Sequence, residues 1–294
     1  MKVLVAGAGA FVGRQLVRAL APQHAVYVLT RQPSVHEQGL ATAIPADLTR
    51  ADVDLPLPDR YDAVVYGDSP DGGHEFPADA VDMFRVNIDS VLRLLEHAVR
   101  SGARRFVLLS TGEVYQRSDA RLGEQSAVAP ETFYARTKRA AEMLIEPYGV
   151  YLNIVILRLF TVYGPDQPAD GIVASMMRTI RNGGRVAIEG ENGGPLTPIF
   201  VTDVVDAVRA LLERNPKNGV ELFNVGGSET VDVASLAAQV SAAVGRPVEI
   251  ARAAAGLRAG WAADSSALTR ATGWTPRVML TDGLRRTAAS LGGS

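Results

Sequence analysis

Residues 3–13 read VLVAGAGAFVG, an apolar β-type run that passes through three glycines straight into an amphipathic helix ending near Leu20. A buried strand, a glycine turn and a helix in that order confine the chain to the α/β class, because a strand with no polar alternation must be covered on both faces. The pattern repeats. AVYVLT (25–30), a weaker run at 41–46, DAVVYG (62–67) and RFVLLS (105–110) read as further strands. Residues 79–102 carry apolar positions three and four apart and stop at Gly102, and a second helix is predicted over 131–147, followed by an apolar strand at 150–159. The expected architecture is a Rossmann-type doubly wound parallel sheet with a smaller C-terminal α/β domain.

Glycines at 7, 9 and 13 let backbone amides come close to a pyrophosphate, which also meets the positive end of a helix. In the strand–turn–helix setting this predicts dinucleotide binding by Gly7, Gly9, Ala10, Phe11, Val12 and Gly13; the competing reading is a tight turn with no ligand. An acid at the end of the second strand would select NAD, but that strand ends Leu29-Thr30-Arg31. An arginine there suits a 2′-phosphate, so Thr30 and Arg31 favour NADP over NAD, with Arg31 as a plain solvated charge the alternative.

Of 30 basic residues only Lys2, Lys138 and Lys217 are lysines. Lys138 stands between arginines in FYARTKRA (133–140), four residues after Tyr134, so on a helix the two share a face. A free phenol, with pKa near ~10, is a poor base. A compact ammonium beside it favours the phenolate and makes proton exchange with a sugar hydroxyl or ketone feasible. The strand before supplies LLSTGEVYQ (108–116), whose Ser110 and Thr111 lie at the C-terminal edge where open α/β sheets bind ligands.

Together these residues resemble the extended short-chain dehydrogenase/reductase family, the NAD(P)-dependent sugar epimerases and dehydratases. GAGAFVG resembles the family's cofactor turn. Asp47-Leu48 resembles its pair beside the adenine, and Asn87 the asparagine of the helix before the active strand. Tyr66-Gly67-Asp68-Ser69 stands in place of the family's strand end beside the nicotinamide. STGEVY (110–115), Tyr134 with Lys138, LRLFTVYGP (157–165), FVTDVVDAV (200–208), FNVGG (223–227) and TGWTPRVMLTDGLRRT (272–287) extend the likeness over nearly the whole chain. The resemblance implies that Thr111, Tyr134 and Lys138 form a catalytic triad, with Tyr134 and Lys138 also at the cofactor, and that hydride moves between a nicotinamide and a sugar carbon. Glu113 in Thr-x-Glu-Val-Tyr is similar to the base of sugar dehydratases, although Gly112 stands where they often carry an acid. Ala10 replaces the family's middle glycine. Leu196-Thr197-Pro198 occupies the place of its diphosphate arginine, leaving Arg178, Arg181 or Arg185 to supply charge.

Three readings stay open: an epimerase or dehydratase working on a nucleotide-activated sugar through a keto intermediate, an NADPH-dependent keto-sugar reductase, and an inactive dinucleotide sensor. The expected division is 1–165 with 198–230 for the dinucleotide and 166–197 with 231–294 for the substrate, which would lie between them. Residues 72–76 (GGHEF) and 192–198 (NGGPLTP) read as mobile loops, and the chain after about 165 as loosely patterned. A net charge of −2 argues against nucleic acid and anionic membranes. No apolar run reaches bilayer length, and the N-terminal glycines do not fit a signal peptide. The lack of cysteine, with four scattered histidines, argues against a metal site and fits a cytoplasmic enzyme. A homodimer through 79–102 and 131–147 is what the resemblance implies.

Overall fold

In a computed structural model, the structure describes residues 1–31, 39–50, 57–67, 75–253 and 260–291. Asp68, Ser69, residues 72–74 of the GGHEF segment and the final GGS lie outside these. The chain forms two compact units: Met1–Val114 with Pro130–Arg158 and Val205–Phe223, and Tyr115–Ala129 with Leu159–Val204 and Asn224–Ser294.

In the first unit β1 (Lys2–Ala6) leads to α1 (Phe11–Leu20), then β2 (Ala25–Thr30), β3 (Thr42–Pro45) and β4 (Ala63–Tyr66). The helical stretch expected at 79–102 is α2 (Ala80–Phe84), a π-helical turn (Arg85–Asp89) and α3 (Ser90–Arg100). Gly102 closes it at φ +72°, a conformation that favours glycine. β5 (Arg105–Thr111), α4 (Phe133–Ile145) and β6 (Asn153–Leu159) follow. The later elements are β7 (Val162–Tyr163), α5 (Ile172–Arg181), β8 (Arg185–Glu189), β9 (Pro195–Leu196), β10 (Ile199–Phe200), α6 (Val201–Glu213), β11 (Gly219–Val225), β12 (Val231–Asp232), α7 (Val233–Val244), β13 (Glu249–Ala253), α8 (Ser266–Thr272) and α9 (Leu280–Ser290).

Among the described residues a seven-stranded sheet runs β11-β6-β5-β4-β1-β2-β3. β1 pairs in parallel with both β2 and β4, and β2–β3 and β4–β5 are also parallel. Strand order reverses at β1, so a crevice opens at the C-terminal ends of β1 and β4, where Gly7 and Gly67 follow. β1, β4 and β5 are almost wholly buried, in keeping with the apolar runs VLVA, AVVY and FVLL at their centres. Leu4, Val64, Leu94, Phe106, Ile145 and Ile154 belong to one core.

In the second unit Met177, Ile180, Leu236, Val240 and Leu284 build a separate core from α5, α7 and α9. The segment 115–129 joins this unit by long-range pairing: Ser118 bridges Gly260, and Leu122 bridges Ala263. The loose pattern expected after 165 is corrected here. The region is regular, but β9, β10 and β12 have two residues each and α7 is alanine-rich, so these elements give no strong polar–apolar alternation. The mobile loop expected at 192–198 is also corrected over its second half: β9 pairs with β12, and Thr197 is fully buried, its Oγ1 accepting from the Ala263 amide at 2.9 Å. Among the described residues no helix is long and apolar enough to cross a membrane.

Candidate active site

The turn after β1 is built by close packing. Gly7 has φ +85°, and its carbonyl accepts from the Ala10 amide at 3.0 Å. A Cβ on Gly13 would lie 1.9 Å from the Gly7 oxygen and 2.9 Å from the Ala8 Cα, so α1 seats against the turn only with glycine there. Gly9 is exposed, with nothing within 4 Å of where its Cβ would stand. Ala10 is the N-cap of α1 at φ −72°, an ordinary extended conformation, which explains why alanine serves where the family carries glycine. That cap has no side-chain hydrogen bond and the first turn holds no acid. The first-turn amides, including those of Phe11 and Val12, therefore present a partial positive charge that no capping side chain or first-turn acid offsets, suited to a pyrophosphate. The Arg14 guanidinium donates to the Gly9 carbonyl.

At the neighbouring strand ends, Thr30 closes β2 and its carbonyl accepts from the Ala46 amide at 2.9 Å. Arg31 is exposed. Asp47, just past β3, accepts from the Thr49 amide at 3.0 Å and hydroxyl at 2.6 Å. Partial burial works against its charge, but these bonds and the positive fields of Arg31 and Arg50 prevail and hold its carboxyl below the usual range. Leu48 is buried and its carbonyl accepts from Ser90 Oγ at 2.8 Å. Tyr66 is wholly buried and its hydroxyl donates to the Val86 carbonyl, so at the sheet's edge it offers backbone. The Gly67 amide bonds to the Ala6 carbonyl at 3.0 Å, and a Cβ there would press to 2.8 Å on Leu109 Cδ1.

α4 carries the reactive pair. Thr132 caps it, Oγ1 accepting from the Ala135 amide at 3.1 Å, which fixes the turn holding Tyr134. Lys138 is buried, its Nζ 5.7 Å from the centre of the Tyr134 ring and 3.4 Å from the Leu109 carbonyl to which it donates. Glu113, on the short 3₁₀ turn after β5, donates its amide to Thr111 Oγ1 at 3.2 Å. That bond uses an acceptor site of the Thr111 hydroxyl and leaves its proton to be donated elsewhere.

Tertiary burial also acts on the Tyr134 phenol. Burial pushes the Tyr134 phenol well above its ordinary value, and the Glu113 carboxylate raises it further. Asn87 sits in the π-helical turn, fully buried, donating through Nδ2 to Thr137 Oγ1 at 3.0 Å, while Thr137 donates to the Tyr134 carbonyl at 2.8 Å. Asn87 thus braces the helix that bears the phenol.

The structure therefore gathers Thr111, Glu113, Tyr134, Lys138 and Asn87 in the unit that holds the glycine turn. The three arginines considered for a diphosphate belong to the second unit. Arg178 donates to the Ala169 carbonyl at 3.0 Å, Arg181 to the Leu291 carbonyl at 2.6 Å, and Arg185 pairs with Glu249 at 3.7 Å, all on the surface of the second unit. Sequence reasoning passed over Glu142, whose carboxylate pairs with Arg158 at 2.6 Å. The available signal was an arginine inside an apolar strand, which demands a buried partner.

Known proteins are similar to this chain over nearly its whole length. The chain is 30% identical over 98% of its length to UDP-glucose 4-epimerase of Mycolicibacterium smegmatis, covering 97% of that protein. It is 27% identical to dTDP-glucose 4,6-dehydratase of Streptomyces niveus, covering 98% of this chain and 91% of that one. Among solved structures, MoeE5 in complex with UDP-glucuronic acid and NAD superposes with a TM-score of 0.85 at 26% identity, over 99% of each chain. UDP-glucose 4-epimerase of Thermus thermophilus in complex with NAD gives 0.83 at 26%, over 100% of each. The sequence profile of the NAD dependent epimerase/dehydratase family matches residues 3–226, and this protein belongs to that family.

Proposed function

We propose that the protein is an epimerase or dehydratase of nucleotide-activated sugars that works through a transient sugar ketone. The observation that carries this reading is the linked set at the end of β5: Lys138 on the Leu109 carbonyl, Tyr134 within the field of Glu113, and the Glu113 amide on Thr111. The glycine turn of the same unit fits a dinucleotide pyrophosphate, since only a chain without a Cβ at residue 13 leaves the helix end this close to the turn. When bound, that dinucleotide supplies the ring that takes and returns hydride, with a positive charge that favours phenolate at Tyr134.

In this reading Tyr134 exchanges a proton with the oxygen of the reacting sugar carbon, and the Thr111 hydroxyl donates to that same oxygen. Lys138 holds positive charge on the phenol's side of α4 and donates to the cofactor ribose. Glu113 removes the proton on the carbon beside the ketone and passes it to the departing hydroxyl, so that water leaves and the carboxylate is restored. Its field also raises the Tyr134 phenol, which suits return of a proton to the ketone.

NADP is the preferred dinucleotide in this reading, because Arg31 stands exposed at the end of β2 where an acid would otherwise select NAD. The same feature supports a second reading, an NADPH-dependent keto-sugar reductase. The first unit serves the dinucleotide and the second the sugar. The working form is a homodimer, in keeping with Val81 and Phe84 exposed on α2 and Met143 and Leu144 exposed on α4.

A panel of nucleotide sugars, with products separated by chromatography and identified by mass spectrometry with and without NADPH, tests the proposed reaction. An epimer or a dehydrated ketone formed without net use of dinucleotide supports the proposal. Stoichiometric loss of NADPH favours the reductase. Tyr134→Phe is expected to abolish turnover while leaving dinucleotide affinity intact; turnover at the parent rate would end the assignment of Tyr134.

A further inference from the structure

One turn beyond Lys138 on α4 lies a carboxylate that the proposed chemistry does not use. Glu142 follows Lys138 by four residues, as Lys138 follows Tyr134, so the three stand along one stripe of the helix. Glu142 is fully buried. Its Oε1 accepts from Ser110 Oγ at 2.6 Å and from Arg158 Nε at 3.0 Å. Its Oε2 accepts from Arg158 Nη2 at 2.6 Å and from Arg139 Nη1 at 3.0 Å. Ser110 is the penultimate residue of β5, and Arg158, itself 2% exposed, belongs to β6. One carboxylate thereby ties α4 to two strands.

The spacing of the ties matters. On β5, Leu109 takes the Lys138 ammonium, Ser110 donates to Glu142, and Thr111 carries the hydroxyl placed at the substrate. The two ties are one helical turn apart on α4 and one residue apart on β5, so together they set both the position of the helix along its axis and its rotation. Stability alone is a poor reason for such a network, since apolar residues of similar volume hold a helix to a sheet as well or better than a buried ion pair. What a bidentate, fully bonded carboxylate adds is direction.

We propose that Glu142 is a positioning residue which, through Ser110 and Arg158, sets where Tyr134 and Lys138 stand relative to Thr111. The inference rests on the catalytic reading of those three residues. A misplacement of about 1 Å in such a group lowers rate on the order of 10²-fold, without any need to weaken substrate binding.

Two variants test it. Ser110→Ala removes one of the four donors and leaves both guanidinium groups on the carboxylate. Glu142→Leu combined with Arg158→Met removes the buried pair together, so neither of its charges is left without the other, and Arg139 retains Glu146 at 3.8 Å. Melting temperature, kcat and KM for the sugar are measured, together with the spectrum of protein labelled at lysine Cε. With only three lysines, Lys2, Lys138 and Lys217, Lys138 is assigned by its loss in Lys138→Arg. Both variants are expected to fold, to lose roughly ten- to a hundredfold in kcat at unchanged KM, and to shift the Lys138 resonance alone. Folded variants with parent kcat and an unmoved Lys138 signal would overturn the proposal. If the double variant does not fold, Ser110→Ala decides by the same readouts. A parent protein inactive on every sugar would defeat the catalytic reading, and the Lys138 resonance of Ser110→Ala would still decide on positioning: shifted supports it, unmoved refutes it.

Discussion

Gly13→Ala puts the dinucleotide turn to its hardest test, because two effects of known size oppose each other. Gly13 lies inside α1, where alanine is the better helix former by about 1 kcal/mol. Against this, the new methyl would lie 1.9 Å from the Gly7 carbonyl oxygen, a backbone atom, where real Cβ contacts essentially never fall below 3.0 Å. Turn and helix must then separate by 3.0 − 1.9 = 1.1 Å. Overpacking of this kind costs roughly 1–3 kcal/mol, so the clash wins over propensity and the net effect on stability is a loss. Affinity suffers more. The shift carries the first amides of α1 out of hydrogen-bond range of a phosphate placed for the parent turn, and each bond to a charged group is worth about 1.5–3 kcal/mol. Losing even one is expected to weaken dinucleotide binding by roughly ten- to a hundredfold. Calorimetric titration with NAD and NADP, alongside a thermal melt, measures both quantities. Gly9→Ala is the control: its Cβ meets nothing within 4 Å, so the melt should stay at or above that of the parent while binding weakens through the obstructed approach. Gly13→Ala with parent affinity and parent melting temperature would refute the close-approach argument.

Alkaline stability should follow the buried phenols. Burial pushes Tyr61 up to about 12 from 10.0, so its contribution is whole below pH 10 and is lost as pH rises through the folded value. Tyr61→Phe should flatten the fall in unfolding free energy between those two values, as read by denaturant titration, and an unchanged slope would exclude Tyr61 as its source. Thr132→Ala removes the cap of α4 and should cost about 1 kcal/mol, with faster amide exchange confined to the turn bearing Tyr134. Combined Phe84→Glu and Met143→Glu should turn a dimer into a folded monomer in light scattering; a variant that stays dimeric would move the interface elsewhere.

What could be read from residues was local. The glycine turn, the parallel strands and the i, i+4 placement of Tyr134 and Lys138 follow from backbone geometry over a few residues, and the structure reproduces them. The π-helical turn at Asn87 was not readable, because its sequence keeps helical spacing and only packing against α4 shows what the extra residue does. Nor was the place of residues 115–129, whose pairing partners lie far along the chain at 260–263.

The sign of the Tyr134 shift marks the boundary most clearly. Helical periodicity alone set phenol and amine on one face, a consequence of 3.6 residues per turn that needs no knowledge of the fold. Whether that phenol is eased toward ionisation or held from it depends on desolvation and on a carboxylate twenty-one residues earlier, which meet it only once β5 and α4 are packed. Spacing along a helix is covalent in origin and so legible in sequence; the dielectric and the neighbouring charges at a site are set by every segment that closes around it, and only the tertiary structure assembles those.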